Sequence, residues 1–506
     1  MPQERKTRGE RLIPHPRTAR QHGRAPLRRL LAVAAGVLLI AGTVEPAVAS
    51  SDPLTWAPCA DRPEFECGTL IRPIDPDRPD GGTFPMALAR HRATEPDRRI
   101  GVLVVNPGGP GESGVDFTFG AQFSFTPEVL ARFDIVGFDP RGVGLSQPVR
   151  CSTELYFGGP TTHPADRAGF ERLREHGRQV REDCARRSGP IVDHLSTDDV
   201  VRDIDALRQA LGERKISYYG LSYGTVIGQR YAERYGDDLR ATLLDSVVDR
   251  GLNAHDYVAV SARAAGDVFE EWVRWNARTH SSPLHGQDVE ALWDGLMARA
   301  ARGELADPDA PESLITPYDL GGTLTTAGYG PDWADLSSWV LSLHEGGATT
   351  RRSARADALD DTPSYATAFR AVSCADLGFR VRDFAEYDAL TRVEKQISPR
   401  TVGSTRGNAA LTNCLGSPEA RNPQRPGTMR TRVPTLLLNS RHDPATPHEN
   451  ATAVQRQQGE AAVLATYEGA GHGAYDRSDC TRQVGDNYLL KLTVPRNGFS
   501  CPSADQ

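Results

Sequence analysis

Gly220-Leu221-Ser222-Tyr223-Gly224 stands directly after a short strand-like run, residues 215–219, and directly before an uninterrupted helical pattern over residues 225–235. A serine at a sharp strand-to-helix turn projects its hydroxyl above the edge of a sheet, and the turn is too tight for side chains at the flanking glycines. The bare pattern is weak, because in a chain with 48 glycines a match is expected by chance roughly 0.3 times. Strand before and helix after make Ser222 a candidate nucleophile.

A serine hydroxyl is almost wholly un-ionised at neutral pH, so it needs a base to take its proton and an acid to orient that base. Two loops near the C-terminus supply both. The apolar run 435–439 reads as a buried parallel strand and empties into Ser440-Arg441-His442-Asp443-Pro444, where Asp443 is the candidate acid. Residues 462–467 read as a further strand running into Gly469-Ala470-Gly471-His472-Gly473, which makes His472 the candidate base. Ser222, Asp443, His472 is the serine, acid, histidine chain order of α/β-hydrolases, unlike the orders of the chymotrypsin and subtilisin folds.

Each assignment has a rival. His442 adjoins the acid, but neighbouring side chains on an extended loop point apart, so it reads as a loop histidine. Asp245, at the end of the strand-like run 241–244, competes for the acid because the preceding strand can supply one. For His472 the ordinary alternative is a turn histidine between glycines.

Acyl transfer also needs donors aimed at the oxyanion. The strand candidate 101–105 leads into Asn106-Pro107-Gly108-Gly109-Pro110-Gly111-Glu112-Ser113-Gly114, a loop whose backbone can approach a substrate oxygen closely. Pro110 has no N–H, so Gly109 is the expected donor with Gly108 as substitute, and Tyr223 is expected to give the second N–H. A phosphate cradle would need the Gly-Lys-Ser/Thr ending that this loop lacks.

Residues 1–49 read as an export signal. Arginines crowd the segment to Arg28-Arg29, residues 30–44 are apolar, and Ala47-Val48-Ala49 gives a small-residue cleavage pattern. The apolar stretch falls short of the roughly 20 residues of a membrane span, so no stable membrane anchor is expected. The paired arginines resemble a twin-arginine signal, but their flanks match poorly, which leaves the export route open. The whole chain holds 59 Lys and Arg against 66 Asp and Glu; without the 9 and 3 of the leader, 50 and 63 remain, a net charge near −13. That balance argues against nucleic acid as a partner.

All eight cysteines lie beyond the leader, at 59, 67, 151, 184, 374, 414, 480 and 501. An even count in an exported chain argues for four disulfides; of the 105 possible pairings, the nearest-neighbour one is the expectation. Nothing near Cys374 supplies the base that a catalytic cysteine needs. Neither His-Glu-x-x-His nor Cys-x-x-Cys occurs, so neither metal nor cofactor is expected.

Strand candidates near 101, 134, 216, 241, 435 and 463 alternate with helical stretches, which predicts a doubly wound, mostly parallel α/β sheet. In the helix expected after Ser196, Val200, Ile204, Leu207 and Leu211 form the apolar stripe and Gly212 ends it. The loop Asp139-Pro140-Arg141-Gly142 reads as structural, its charged side chains tying turns together. Residues 80–83 read as a turn. From about 249 to 432 the alternation stops. A mostly helical insertion is expected there, where a cap over the active site would go, with Trp272 and Trp275 in its core and loop-rich pieces such as residues 349–363. The expected organisation is leader 1–49, core 50–250, cap 251–430 and core 431–506.

Together these motifs resemble the secreted bacterial tripeptidyl aminopeptidases and related serine exopeptidases of the α/β-hydrolase superfamily, akin to proline iminopeptidases. The resemblance rests on residues 106–114, 138–146, 219–225, 243–249, 371–376, 434–447 and 469–473, in order. Glu112 stands where a small residue is common, and Ser246 and Arg250 depart from the usual strand-end pattern. The resemblance implies release of short peptides from free N-termini, a cap that blocks longer entry, and an acidic group that receives the substrate ammonium. Asp267, Glu270 and Glu271 are candidates for that group, although a solvated helix face is their ordinary reading. The same machinery cleaves esters, so a secreted ester hydrolase acting on a small molecule is the alternative. A binding protein on a hydrolase scaffold would normally have lost one of the three residues.

Overall fold

Residues 101–106, Gly-Val-Leu-Val-Val-Asn, are buried at every position, as befits a strand covered on both faces. In the computed structural model, which describes residues 54–307, 310–346, 365–377, 379–423 and 425–504, this run is a central strand of a ten-stranded sheet. The leader and the whole of the loop at 349–363 lie outside the described residues.

The sheet opens with β1 (Trp56–Pro58), β2 (Glu66–Pro73) and β3 (Thr83–His91), followed by β4 (Gly101–Asn106) and β5 (Phe133–Phe138). It continues with β6 (Ile216–Leu221) and β7 (Leu239–Asp245). A separate antiparallel pair, β8 (Ala306–Asp307) and β9 (Ala310–Leu314), precedes β10 (Thr435–His442), β11 (Ala462–Ala470) and β12 (Phe499–Cys501). The order is β1-β2-β3-β5-β4-β6-β7-β10-β11-β12. The pairings from β5 to β12 are all parallel, and β1, β2 and β3 add an antiparallel edge.

Alternate residues of each strand enter two cores, one on each face, as the period of two demands. Val102, Val104, Tyr218, Leu244 and Leu437 face one core, where Val200, Ile204 and Leu207 of the helix Thr197–Ala210 and Val226 and Tyr231 of the helix Gly224–Tyr235 meet them. Leu103, Val105, Tyr219, Leu243 and Leu436 face the other, closed by Val129 and by Tyr488 and Leu489 of the helix Asp479–Lys491. Each fully buried aliphatic side chain stabilises this arrangement by about 1.5–3 kcal/mol. Ser196 caps its helix by accepting from Asp199 N–H, and Gly212 follows the helix end at φ +71°.

Between β7 and β10 run seven helices among the described residues, from Ala254–Arg278 to Thr405–Thr412. Trp272 and Trp293 are fully buried in a core of their own, ring to ring at 5.6 Å, and the Trp272 indole donates to Ser337 Oγ at 3.0 Å. Trp275 packs at its margin. The four disulfides are Cys59–Cys67, Cys151–Cys184, Cys374–Cys414 and Cys480–Cys501, the nearest-neighbour set, and they fit an extracellular protein. Among the described residues no helix is long and apolar enough to cross a membrane.

Arg141 is completely buried and holds Asp203 with two bonds, Nε to Oδ2 at 2.8 Å and Nη2 to Oδ1 at 3.0 Å, while Nη1 donates to Ile74 O and His194 O. Asp139 accepts from Ser113 Oγ at 2.6 Å, Val115 N–H at 3.2 Å and Leu145 N–H at 2.8 Å. This loop therefore fastens the glycine-rich segment 106–114 to the end of β5.

Candidate active site

β6 ends in a turn where Ser222 takes φ +57°, and the helix Gly224–Tyr235 starts two residues later. The left-handed conformation is costly for a non-glycine residue, by about 1–2 kcal/mol. It is held by Ser222 N–H donating to Asp245 O at 2.9 Å. Gly224 leaves the room: a Cβ there would lie 2.5 Å from Asn106 O.

The glycine-rich loop crosses immediately beside this turn. A Cβ on Gly108, at φ +95°, would lie 2.7 Å from Tyr223 N, so only glycine allows the approach. Gly108 N–H is occupied by Asn106 Oδ1 at 3.0 Å. Gly109 and Tyr223 N–H groups have no hydrogen-bond partner among the described residues, which leaves both free for an oxyanion. The Tyr223 side chain is buried, and its hydroxyl bonds Asp376 and lies 3.0 Å from Thr197 Oγ1. Asp376 also takes Thr197 N–H at 2.9 Å. That anchor fixes the residue after the serine to the start of a core helix.

Beyond β10 and β11, Asp443 and His472 meet: His472 Nδ1 lies 3.0 Å from Asp443 Oδ1 and 3.1 Å from Oδ2. Asp443 is buried and further accepts from Ala445 N–H at 2.8 Å, Thr446 N–H at 2.9 Å, Thr446 Oγ1 at 2.9 Å and Ser246 Oγ at 2.7 Å. Burial pushes its carboxyl up, but the His472 charge and these bonds win and hold it below the ordinary Asp range. A carboxylate so placed fixes Nδ1 as the protonated nitrogen and leaves Nε2 as acceptor. Among the described residues no hydrogen bond links the Ser222 hydroxyl to His472; such contacts commonly tighten only with substrate.

Asp245 serves elsewhere. It accepts from Ala474 N–H at 2.7 Å, Tyr475 N–H at 3.1 Å and Tyr219 hydroxyl at 3.0 Å, and so grips the loop just after His472. Burial pushes its carboxyl up to about 6. His442 Nδ1 pairs with Asp267 at 2.8 Å. Glu271 is buried against Arg274 and Arg278, and Glu270 stays largely exposed. Asp267, Glu270 and Glu271 all lie off the cavity beside Ser222.

Sequence reasoning missed four supports. Ser246, itself at φ +58°, bridges Asp443 and Gly473, whose N–H donates to its hydroxyl at 2.8 Å. Thr446 bonds the same carboxylate. Tyr329 follows the helix Pro317–Ala327; its carbonyl accepts from His472 N–H at 3.0 Å and Arg477 Nη2 at 2.6 Å, and its ring meets the imidazole edge-on at 5.0 Å. Arg406 donates to the Tyr329 hydroxyl at 2.9 Å. Ser246 gave a signal, as a departure from the strand-end pattern; Tyr329 and Arg406 sit in helical surroundings with no motif.

A cavity of about 180 Å³ opens beside the serine, bordered by Ser222, Tyr223, Gly109, Tyr257, Phe369 and Arg406 among others. Glu112 borders a separate cleft and feels the charge of His472. Desolvation by its surroundings raises its carboxyl above the ordinary range against that pull.

The sheet order and the strand-to-helix turn define an α/β-hydrolase. Residues 101–312 match the family described as alpha/beta hydrolase fold, and residues 399–501 match the one described as TAP-like protein. The chain is 30% identical over 485 residues to the serine protease Hip1 of Mycobacterium tuberculosis, covering 89% of this chain and 91% of that protein. It is 28% identical over 478 residues to the tripeptidyl aminopeptidase of Streptomyces lividans, covering 88% and 86%. It is 32% identical over 476 residues to carboxylesterase B of Mycobacterium tuberculosis, covering 88% and 89%. The chain belongs to the TAP-like α/β-hydrolase family, and the protein is a serine peptidase-like hydrolase.

Proposed function

We propose that the protein is an exported serine exopeptidase that releases short peptides, tripeptides foremost, from free N-termini. The observation that carries this reading is the Asp443–His472 pair at the carboxyl edge of the sheet that also ends in Ser222, with the Gly109 and Tyr223 N–H groups unspent. Ser222 Oγ attacks the scissile carbonyl as His472 Nε2 takes its proton, and the oxyanion rests on Gly109 and Tyr223 N–H. His472 hands the proton to the leaving amine, the C–N bond breaks, and an acyl-enzyme remains. Water, deprotonated by His472, then hydrolyses the ester and restores Ser222.

Two features support the exopeptidase reading. The helices of residues 251–430 contribute Tyr329 to the imidazole and Phe369 and Arg406 to the cavity, as a cap that limits substrate length would. Glu112, which borders a neighbouring cleft with Gly111 and Ser113 and is near enough to His472 for their charges to interact, is the carboxylate assigned to a substrate ammonium. The arginine-rich leader 1–49, with cleavage near Ala49, and the disulfides support export.

A second reading, carboxylic ester hydrolysis, is favoured by one observation: among the described residues no Asp or Glu borders the cavity beside Ser222. Aminoacyl-, dipeptidyl- and tripeptidyl-nitroanilides, free and N-blocked, compared with nitrophenyl esters, separate the two. Hydrolysis confined to free N-termini and lost in Ser222→Ala supports the exopeptidase. Equal hydrolysis of blocked and free peptides rejects it.

A further inference from the structure

We infer that Arg406 is a specificity-determining residue that binds a carboxylate or carbonyl oxygen of the substrate in the cavity beside Ser222. The inference rests on the hydrolase reading above and adds the charge that the cavity selects.

Arg406 borders the same cavity as the serine and both oxyanion donors. A guanidinium carries five N–H donors. One of them is used on the Tyr329 hydroxyl, at 2.9 Å, and the Tyr257 hydroxyl is near enough to take another. Nε is buried and has no partner, and among the described residues no carboxylate pairs with this arginine. Asp443 is near enough to act on Arg406 by its charge, but its oxygens are committed to His472, Ala445, Thr446 and Ser246. A buried charge normally has a partner that satisfies its hydrogen bonds. Arg406 lines the cavity, whose other walls, Tyr257, Phe369 and Phe379 among them, are largely aromatic or aliphatic, so an acceptor for its remaining guanidinium donors is one that a substrate can bring. Such a pocket takes an uncharged body that carries an oxygen acceptor. It repels an ammonium, which is left to the Glu112 side of the imidazole.

The acceptor could belong to the acyl or the leaving portion, and two substrate pairs distinguish them. In the first, one tripeptidyl-nitroanilide with a free N-terminus carries Glu or Gln in its acyl portion. In the second, the leaving arylamine is 4-aminobenzoate or 4-aminobenzamide. Wild type should favour the carboxylate member of one pair, and Arg406→Met should cut kcat/KM for that member about 10- to 100-fold relative to its neutral partner, chiefly through KM, as loss of a charged hydrogen bond predicts. Arg406→Lys should keep part of the preference. Tyr329→Phe, which removes one of the arginine's tyrosine partners but not its charge, should keep the ratio; a merely structural Arg406 would lower both members equally. Should Arg406→Met fail to fold, competitive inhibition of wild type by an N-acetyl tripeptide acid and its amide replaces it, with the acid expected to bind about tenfold tighter. Unchanged ratios in Arg406→Met, or equal inhibition by acid and amide, overturn the inference. Turnover that survives Ser222→Ala overturns the hydrolase reading instead.

Discussion

Replacing Ser246 by alanine removes one hydroxyl that serves two elements at once. Its Oγ donates to Asp443 at 2.7 Å and accepts from Gly473 N–H at 2.8 Å, in a fully buried position. A hydrogen bond to an ionised group contributes about 1.5–3 kcal/mol, and a buried donor left without a partner costs about 1–3 kcal/mol. Because one hydroxyl makes both, the expected loss of unfolding free energy is about 3–4 kcal/mol. Ser246→Gly loses the same bonds but relieves the φ of +58°, so it should be less destabilised by about 1 kcal/mol. Asp443 is held below its ordinary range, so its contribution is fully present above pH 4 or so and disappears as pH falls through the lowered value. The deficit of Ser246→Ala should therefore be full near neutrality and shrink in acid. Urea unfolding at pH 7 and pH 3 with the disulfides intact measures it, and kcat should fall about tenfold at pH 7 as the imidazole loses its orientation. Wild-type stability in Ser246→Ala, or a deficit equally large at pH 3, refutes the bridging role.

Ser222→Ala should lower kcat by at least about 10⁴-fold and abolish labelling by a fluorophosphonate, with KM nearly unchanged. Gly108→Ala pushes a methyl group to within 2.7 Å of Tyr223 N and should cost about 100-fold in kcat, read on the best nitroanilide, while binding is retained. Glu112→Gln should raise KM for free-amino substrates about tenfold and leave N-acetylated ones unaffected, a comparison that fails if both change alike. Replacing Cys374 and Cys414 together by alanine opens a loop of 40 residues and should lower stability by roughly 4 kcal/mol on the chain-entropy model, measured by urea unfolding.

The parts of the site that the sequence discloses are those whose chemistry is written into local backbone demands. Ser222 is legible because a strand, a turn that requires glycine and a helix occupy consecutive residues, and Asp443 and His472 because each ends an apolar run that can only be a buried strand. Strands β4 to β7, β10 and β11 are legible for the same reason. β2 and β3 were not read as strands: they form the antiparallel edge, are only partly buried, and include Pro73 and Pro85, so they lack the continuous apolar signature.

The supports were hidden because their partners are remote in the chain. Asp245 and Asp443 both end strands, both are buried, and nothing local separates their roles. What separates them is which partners reach them: Asp245 takes the N–H groups of Ala474 and Tyr475, whereas Asp443 takes the imidazole. Tyr329 and Arg406 show the limit more sharply, since both belong to the region between β7 and β10, where helix periodicity reports burial but says nothing of what a polar side chain faces. Yet on the proposed reading that region determines what the catalytic edge can accept. On the proposed mechanism a serine, an acid and a histidine at strand ends supply acyl-transfer chemistry to any carbonyl, and it is the guanidinium of Arg406, with no carboxylate partner among the described residues, that gives the cavity beside the serine a sign. Substrate preference should therefore respond to changes at residue 406 while the strand-end residues govern turnover, a division that a KM-against-kcat comparison across both sets can break by showing the two moving together.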